Sequence, residues 1–180
     1  ENCGAYLAAI RSIGRTEEYF YMPVFESAAM IPPQTRREAL TEVRAQLDTV
    51  SGSILNIRVG GNDLSHAFGL RRPANRTIYD LRPVAEILID IVAAFGTQYV
   101  VSGPVWEYYS GEGWEEGLRR EMELDLLNGF TGKTVIHPNQ IPVVNEMLRV
   151  SQRDYADARA ILNWDTGSGS LVSASEDGGR

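Results

Sequence analysis

The sequence has few of the side chains that disulfide frameworks and most protein metal clusters require. Cys3 is the only cysteine among the 180 residues, and there are only two histidines. A disulfide framework and a thiolate metal cluster are therefore excluded, and a zinc site built from cysteine and histidine ligands is not expected.

The sequence also lacks long hydrophobic runs and an excess of positive charge. No apolar run reaches the length of a membrane-spanning helix, and the first residues have neither region of a signal peptide. We therefore expect a cytoplasmic protein with no membrane partner. The formal net charge of -7 argues against general nucleic-acid binding, because phosphates would be repelled. A local pocket could still bind an anionic small molecule.

What the sequence does contain is an alternation of helical and extended patterns. Apolar residues at helical spacing predict helices over residues 5–13, 36–50, 82–95, 114–127, 143–150 and 155–162. Runs rich in β-branched and aromatic residues predict strands over 19–25, 53–59 and 98–102, and a fourth short strand within 129–136. This alternation predicts an α/β fold with parallel strands and right-handed crossovers. Residues 166–180 form a tail rich in Gly and Ser.

Four βα units leave two architectures open. A complete (β/α)8 barrel typically needs about 250 residues, so these units bury too little for a closed barrel. An open parallel sheet of four strands would leave edges and apolar faces uncovered. The sheet is therefore either doubly wound or part of a longer barrel.

Two carboxylates follow predicted strands at the point where each strand ends. Glu26 comes directly after the first strand, and Asp63 follows the second strand after a Gly60-Gly61 pair. Because parallel strands bring their carboxyl ends to one edge of a sheet, the two side chains are expected on the same face. The alternative is that each carboxylate caps the helix that follows it.

Several segments, taken together and in order, resemble one enzyme superfamily. They are residues 23–27 (PVFES), 57–64 (IRVGGNDL) and 132–141 (GKTVIHPNQI), supported by 68–72 (FGLRR), 77–80 (TIYD) and 154–155 (DY). This pattern resembles the HpcH/HpaI aldolase and citrate lyase β-subunit superfamily, and within it the C–C bond lyases of TIM-barrel fold. The resemblance covers nearly the whole chain.

The resemblance implies a parallel (β/α)8 TIM barrel of which residues 1–165 are the C-terminal half, strands five to eight. Strands one to four, with an arginine that binds the substrate carboxylate, would precede Glu1. A C-terminal extension would follow the 166–180 tail. In related lyases that extension supplies the general base, so no residue here is assigned that role.

The resemblance also implies a Mg²⁺ cofactor held by Glu26 and Asp63, since family members use an acidic residue at each position. Mg²⁺ usually takes one or two protein carboxylates, with water and substrate oxygens completing its octahedron. Gly60 and Gly61 are candidate substrate-binding positions, because the lack of side chains lets backbone N–H groups approach a ligand. Asn62 is a candidate for orienting Asp63 or a water molecule, and a plain turn residue is the alternative.

Basic residues near these segments are further candidates for substrate binding. Arg71 and Arg72 lie in the loop after the second strand, and a guanidinium can bind a carboxylate or phosphate bidentately. Arg58 is also available but is ranked below them. The resemblance places Lys133 and His137 at the border of a pocket for the acyl carrier, although His137 also fits a hydrogen-bonded turn residue.

The resemblance implies a magnesium-dependent lyase that cleaves a 3-hydroxyacyl thioester, similar to citryl-CoA or malyl-CoA, into a 2-oxo acid or aldehyde and an acyl thioester. A class II pyruvate aldolase that does not use coenzyme A is one alternative. A non-catalytic barrel that acts as a binding or assembly subunit is another. The expected partners are a 2-oxo acid or CoA thioester and, from the family, further copies of the same chain.

Overall fold

The structure is a computed structural model that describes residues 3–14 and 19–163. The chain falls into two units, Glu1–Met147 and Leu148–Arg180. The tail predicted over residues 166–180 lies outside the described residues. Helices and strands alternate along the chain as the sequence predicts, in the following order. They are α1 Cys3–Ser12, β1 Val24–Phe25, α2 Pro33–Asp48, β2 Ile57–Val59, α3 Gly61–Ala67, α4 Arg82–Phe95, β3 Val101–Gly103, α5 Trp114–Leu127, β4 Gly132–Lys133, α6 Gln140–Met147 and α7 Gln152–Leu162.

The four strands form one parallel sheet whose spatial order is the chain order, β1-β2-β3-β4. This confirms the predicted α/β fold with parallel strands. The register pairs Val24 with Arg58, Phe25 with Val59, Ile57 with Val101, Arg58 with Ser102, Ser102 with Gly132 and Gly103 with Lys133. Every connection between neighbouring strands contains at least one helix, as parallel pairing requires.

The main core lies between one face of the sheet and the helices. Phe25, Ile57 and Val59 from the strands are buried there against residues of α2 and α4. The rings of Phe25 and Phe95 are 5.0 Å apart between centroids and tilted by 43°. Burial of these apolar side chains is the main favourable contribution to folding, at about 25 cal/mol per Å².

Helix α4 shows how strongly the apolar pattern determines an element. Its buried side chains are Val84, Ile87, Leu88, Ile91 and Phe95, which recur at intervals of one, three or four residues. This spacing is typical of a helix that buries one stripe. A proline at the start of α4 is compatible with the helix, because N–H groups in the first turn have no intrahelical acceptor.

The first three strands are shorter than the sequence predicts, and Pro23 supplies a physical reason for β1. Pro23 accepts a hydrogen bond from the Arg58 N–H at 2.8 Å but has no N–H to donate. Among the described residues that precede Pro23, Tyr21 pairs with Ile54 in an isolated bridge. Before β2, residues Ser51–Ser53 form a 3₁₀ turn instead of a strand.

The second unit contains helix α7 among its described residues. The Ser151 side chain is its N-cap and accepts a hydrogen bond from the Asp154 N–H at 3.0 Å. None of the described helices in either unit is both long enough and apolar enough to cross a lipid bilayer.

A matched pair of neighbouring residues in α4 tests the core. Leu88 is 0% exposed, whereas Ile89 is 42% exposed. Leu88→Ala should lower the free energy of unfolding by about 2–5 kcal/mol, because it leaves a cavity in a packed core. Ile89→Ala should change it by less than about 1 kcal/mol. Chemical denaturation of both variants measures the difference, and equal losses would contradict this packing.

Candidate metal and substrate site

Strands β1 and β2 deliver the two predicted carboxylates to one edge of the sheet. Phe25 pairs with Val59 in the parallel register, and the Gly60 N–H donates to the Phe25 carbonyl at 3.1 Å. Glu26 therefore leaves β1 where Gly60 leaves β2, and Asp63 follows three residues later. Both carboxylates belong to exposed residues at the carboxyl edge.

The side chain of Glu26 occupies space that only a glycine at position 60 leaves open. A Cβ atom placed on Gly60 would lie 2.1 Å from Oε2 and 2.5 Å from Cβ of Glu26. Gly61 has a different neighbourhood, since a Cβ there would lie 2.5 Å from Cδ1 of Ile78 and 2.6 Å from Cβ of Pro104. The absence of a side chain at Gly60 thus leaves room for the Glu26 carboxylate. The absence of a side chain at Gly61 lets the start of α3 pack closely against Ile78 and Pro104.

Asp63 lies in the first turn of α3, a helix whose bounds the sequence did not predict. Its N-cap is Gly60, and no side chain caps it. Ser27, not Glu26, is at the N-cap of the 3₁₀ turn Ala28–Met30. Neither predicted carboxylate therefore occupies an N-cap position. Asn62, half-buried, lies between Gly61 and Asp63 in the same turn.

The donor set at this edge suits a hard divalent cation. Within residues 3–14 and 19–163, no cluster of three or more His, Cys, Asp or Glu side chains could hold a metal ion. A structural zinc site with four protein ligands therefore has no basis in the described chain. Two exposed carboxylates at one sheet edge match the one or two that Mg²⁺ takes from proteins.

The two predicted arginines of the loop after α3 have opposite environments. Arg71 is exposed, whereas Arg72 is only 3% exposed. Arg72 forms an ion pair with Glu121 through Nη1 and donates to the Val105 carbonyl at 2.7 Å through Nη2. Its guanidinium also lies 4.8 Å from the ring centroid of Trp106, which adds a cation–π contact.

Lys133 on β4, the cation predicted at the border of the pocket, contacts the same glutamate as Arg72. Its side chain is 0% exposed, and the exposure of the residue comes from its backbone. Nζ lies 2.9 Å from Oε1 of Glu121 and 2.7 Å from Oδ2 of Asp125. Lys133 follows Gly132 on a strand whose side chains alternate, so it faces α5 and not the opposite face of the sheet.

Glu121 is the centre of this network, which we call the buried ion cluster: Arg72, Tyr79, Glu121, Asp125 and Lys133. The Glu121 side chain is 0% exposed and accepts hydrogen bonds from Arg72, Lys133 and the Ile78 N–H, the last at 2.8 Å. Two cations and two carboxylates balance one another there. The cluster joins α5 to β4 and to the loops that precede α4 and follow β3.

Burial shifts the proton affinities of two members of the cluster. Burial raises the pKa of the Asp125 carboxyl, and the Lys133 ammonium opposes that shift. The Tyr79 hydroxyl donates to Oδ1 of Asp125 at 2.7 Å. Burial, followed by the charge of Asp125, raises the pKa of Tyr79 far above its ordinary value of 10.0. Both effects favour a tyrosine that keeps its proton.

His137, the remaining predicted residue, is held in the loop after β4. Its ring stacks on Tyr109 with centroids 4.2 Å apart and planes 9° from parallel. Nδ1 accepts a hydrogen bond from the Asn139 N–H at 3.2 Å. Gln140 ties this loop to the one after β3, because its Nε2 donates to the Trp106 carbonyl at 2.8 Å.

Sequence reasoning missed Glu121 and Asp125, although a signal for them exists. The two acids are four residues apart on α5, on the stripe that contains the buried Leu118 and Met122. A carboxylate pair on an apolar stripe predicts buried cations from elsewhere in the chain, since an unpaired buried charge is very costly.

The buried ion cluster can be tested with two glutamates of α5. Glu121→Gln should lower the free energy of unfolding by about 3–5 kcal/mol, because it leaves Arg72 and Lys133 with too little negative charge. Glu123, two residues away, is exposed. Glu123→Gln should change stability by no more than about 0.5 kcal/mol. If denaturation gives the two variants the same stability, the cluster does not hold the fold together.

The raised pKa of Tyr79 predicts a specific alkaline instability. Because the folded protein keeps this proton at pH values where the unfolded chain releases it, the stability it confers is lost as pH rises above 10.0. Tyr79→Phe should therefore make the fall in unfolding free energy above that pH shallower. Tyr109→Phe, which retains the ring but removes an exposed hydroxyl, is the control. Identical pH profiles for wild type and Tyr79→Phe would refute this.

Comparison with known proteins identifies the family of this chain. The family described as C–C bond lyase of the TIM-barrel fold matches residues 1–178. L-malyl-CoA/β-methylmalyl-CoA lyase from Cereibacter sphaeroides is 38% identical over 166 residues, covering 84% of this chain and 48% of that protein. Mitochondrial citramalyl-CoA lyase from Rattus norvegicus is 34% identical over 87 residues, which are 48% of this chain and 24% of that protein. The chain thus spans about half the length of the first of these relatives, and its match to the second covers about a quarter of that protein.

Solved structures share the fold at lower identity. RipC from Yersinia pestis superposes with a TM-score of 0.64 at 16% identity, covering 86% of this chain and 63% of RipC. CitE from Mycobacterium tuberculosis, in complex with magnesium, acetoacetate and coenzyme A, gives a TM-score of 0.58 at 22% identity, covering 89% of this chain and 54% of CitE. The predicted superfamily is confirmed, and the parallel sheet is part of a barrel fold. This chain belongs to the family of C–C bond lyases of the TIM-barrel fold.

Proposed function

We propose that this chain carries the magnesium site of a lyase that cleaves a carbon–carbon bond in a 3-hydroxyacyl-CoA thioester. The products would be a 2-oxo acid or an aldehyde and an acyl-CoA. The observation that carries the proposal is the pair Glu26 and Asp63, which leave adjacent parallel strands at one edge. Because Gly60 has no side chain, the Glu26 carboxylate can occupy the space beside it.

The names of the relatives support a thioester substrate. Both curated relatives are lyases named for a CoA thioester of a hydroxy acid, malyl-CoA and citramalyl-CoA. The CitE structure contains magnesium, acetoacetate and coenzyme A in one complex. These ligands belong to those proteins, and we carry the substrate class to this chain as part of the proposal.

Glu26 and Asp63 would hold the ion, with water and substrate oxygens completing its coordination. When bound, the magnesium would polarise the oxygen atoms of the 2-oxo acid and stabilise the negative charge that develops during bond cleavage. Asn62, between Gly61 and Asp63, would orient the Asp63 carboxylate. Gly61 has a positioning role, since it lets α3 start against Ile78 and Pro104.

The predicted basic residues divide into two roles. Arg71 is exposed, so it is available to bind the phosphate or carboxylate of a ligand that enters from solvent. Arg72 and Lys133 use their charges inside the buried ion cluster. We assign them to fixing the loops that border the site. His137, stacked on Tyr109, forms part of the rim where the acyl carrier would lie.

Metal binding is the direct test of the two carboxylates. Mn²⁺, which substitutes for Mg²⁺ and is detected by electron paramagnetic resonance, should bind the purified protein with a stoichiometry of about one, as expected for a single two-carboxylate site. Glu26→Gln and Asp63→Asn should each weaken Mn²⁺ binding by at least about tenfold, since even outer-shell partners of metal ligands contribute that much. Glu38→Gln, which removes an exposed carboxylate of α2, should leave it unchanged.

Two results would contradict the proposal. If Glu26→Gln and Asp63→Asn bind Mn²⁺ as tightly as the wild type, the metal does not lie at this edge. If Mn²⁺ binds there but malyl-CoA with Mg²⁺ releases no 2-oxo acid or aldehyde, while pyruvate and an aldehyde condense without coenzyme A, the aldolase alternative replaces the thioester lyase.

A further inference from the structure

The sheet has a second face, opposite the main core that it forms with α2 and α4. Side chains alternate along a strand, so those that neighbour the buried Phe25, Ile57 and Val59 point to the other side. We call this side the inner face, because in a (β/α)8 barrel the helices cover the outside. The register aligns four of its positions in one row: Val24, Arg58, Ser102 and Gly132.

Arg58 brings a positive charge to the middle of this row. It is half-buried, and its Nε donates a long hydrogen bond of 3.4 Å to Oγ1 of Thr134. No acidic side chain of the described residues forms an ion pair with it. By contrast, the buried Arg36 and Arg72 lie against Asp90 and Glu121.

The inner face is polar in the row of Arg58 and directly below it. Asn56, two residues earlier on the same chain, donates from Nδ2 to Oγ of Ser102 at 2.9 Å. Its Oδ1 is buried and accepts no hydrogen bond within the part of the chain that the structure describes. A Cβ atom on Gly132 would lie 2.7 Å from Oγ of Ser102, so the row is tightly packed at this level.

Above Arg58, the same face leads directly to the proposed metal site. Gly60 is two residues further along the chain, and residues so spaced on a strand are separated by about 7 Å. The Glu26 carboxylate fills the space beside Gly60. An arginine side chain is long enough to cover much of this separation, so one small ligand could contact both the ion held by Glu26 and the Arg58 guanidinium.

We propose that Arg58 binds a carboxylate group of the substrate on the inner face. Arg58 pairs with Val24, which is two residues before Glu26. This inference rests on the proposed function, because it assigns a further anion-binding group of the same site. A guanidinium suits the role, since its fork of N–H donors pairs with both oxygens of a carboxylate. It replaces the sequence-based ranking, which placed Arg71 and Arg72 ahead of Arg58.

A purely structural role for Arg58 fits the inner face less well. The interiors of (β/α)8 barrels are mostly filled by branched apolar side chains. An arginine there loses hydration unless an anion or several acceptors compensate, and among the described residues Arg58 forms one long hydrogen bond, to a neutral hydroxyl. A bound carboxylate would supply the missing partner.

The test measures ligand and metal binding separately in the same variants. Calorimetry with oxaloacetate and with pyruvate, in the presence of Mg²⁺, gives the ligand affinity. Mn²⁺ binding followed by paramagnetic resonance gives the metal affinity. The variants are Arg58→Met, which removes the charge, and Arg58→Lys, which keeps it but loses the bidentate fork. The control is Arg37→Met, which removes an exposed arginine of α2.

Arg58→Met should weaken oxaloacetate binding by about tenfold or more, the usual effect of losing a hydrogen bond to a charged group. Mn²⁺ affinity should stay within about twofold, a change of less than 0.5 kcal/mol. Arg58→Lys should recover part of the loss, and Arg37→Met should match the wild type. Equal losses with both ligands would place Arg58 at the carboxylate they share. A loss with oxaloacetate alone would place it at the second carboxylate.

Unchanged oxaloacetate and pyruvate binding in Arg58→Met, with an unaltered unfolding temperature, would overturn the assignment. A wild type that binds neither ligand would overturn it too. Failure of the proposed function has a different signature: the wild type would bind no Mn²⁺, whatever the ligand affinities of the Arg58 variants.

Discussion

The fold of this chain depends on the fully buried carboxylate of Glu121, which two cations and a backbone N–H share. Each charge in the buried ion cluster would be costly alone, so the members are stable there only together. Glu121 and Asp125 come from one helix, whereas Lys133 comes from the last strand and Arg72 from a distant loop. The cluster therefore fixes the loops after α3 and β3 against α5 and β4, and these loops surround the carboxyl edge where Glu26 and Asp63 lie.

The two faces of the sheet differ in the side chains that they carry. The outer face is covered by α2 and α4 through apolar contacts such as Phe25 on Phe95. The inner face carries Arg58 and Ser102 in one row and leads to Glu26 at its upper rim. The outer face also carries Lys133 of the buried ion cluster, whereas the inner face presents Arg58. A positive side chain on the inner face suits the proposed binding of an anionic substrate by a chain of negative net charge.

The sequence predicted those features that depend on local patterns. The observed bounds of α4 and α5 equal the predicted ones, because their apolar stripes are regular. The positions of Glu26 and Asp63 at one edge followed from parallel pairing alone. The positions of Arg72 and Lys133 could not be read in this way, since both are decided by Glu121, which is 49 residues from the first and 12 from the second. The bounds of α3 could not be predicted in this way, because the helix is short and begins at Gly61, whose close packing against Ile78 and Pro104 depends on residues elsewhere in the chain.

In the proposed function, Glu26 and Asp63 together hold one divalent cation. Anomalous diffraction from crystals of the protein soaked in Mn²⁺ tests it most directly, because it locates the ion without relying on activity. We expect one strong peak at the carboxyl edge of β1 and β2, at about 2.0–2.3 Å from a carboxylate oxygen of each residue, as for hard cations with oxygen ligands. A peak elsewhere, or one that contacts neither carboxylate, would contradict it.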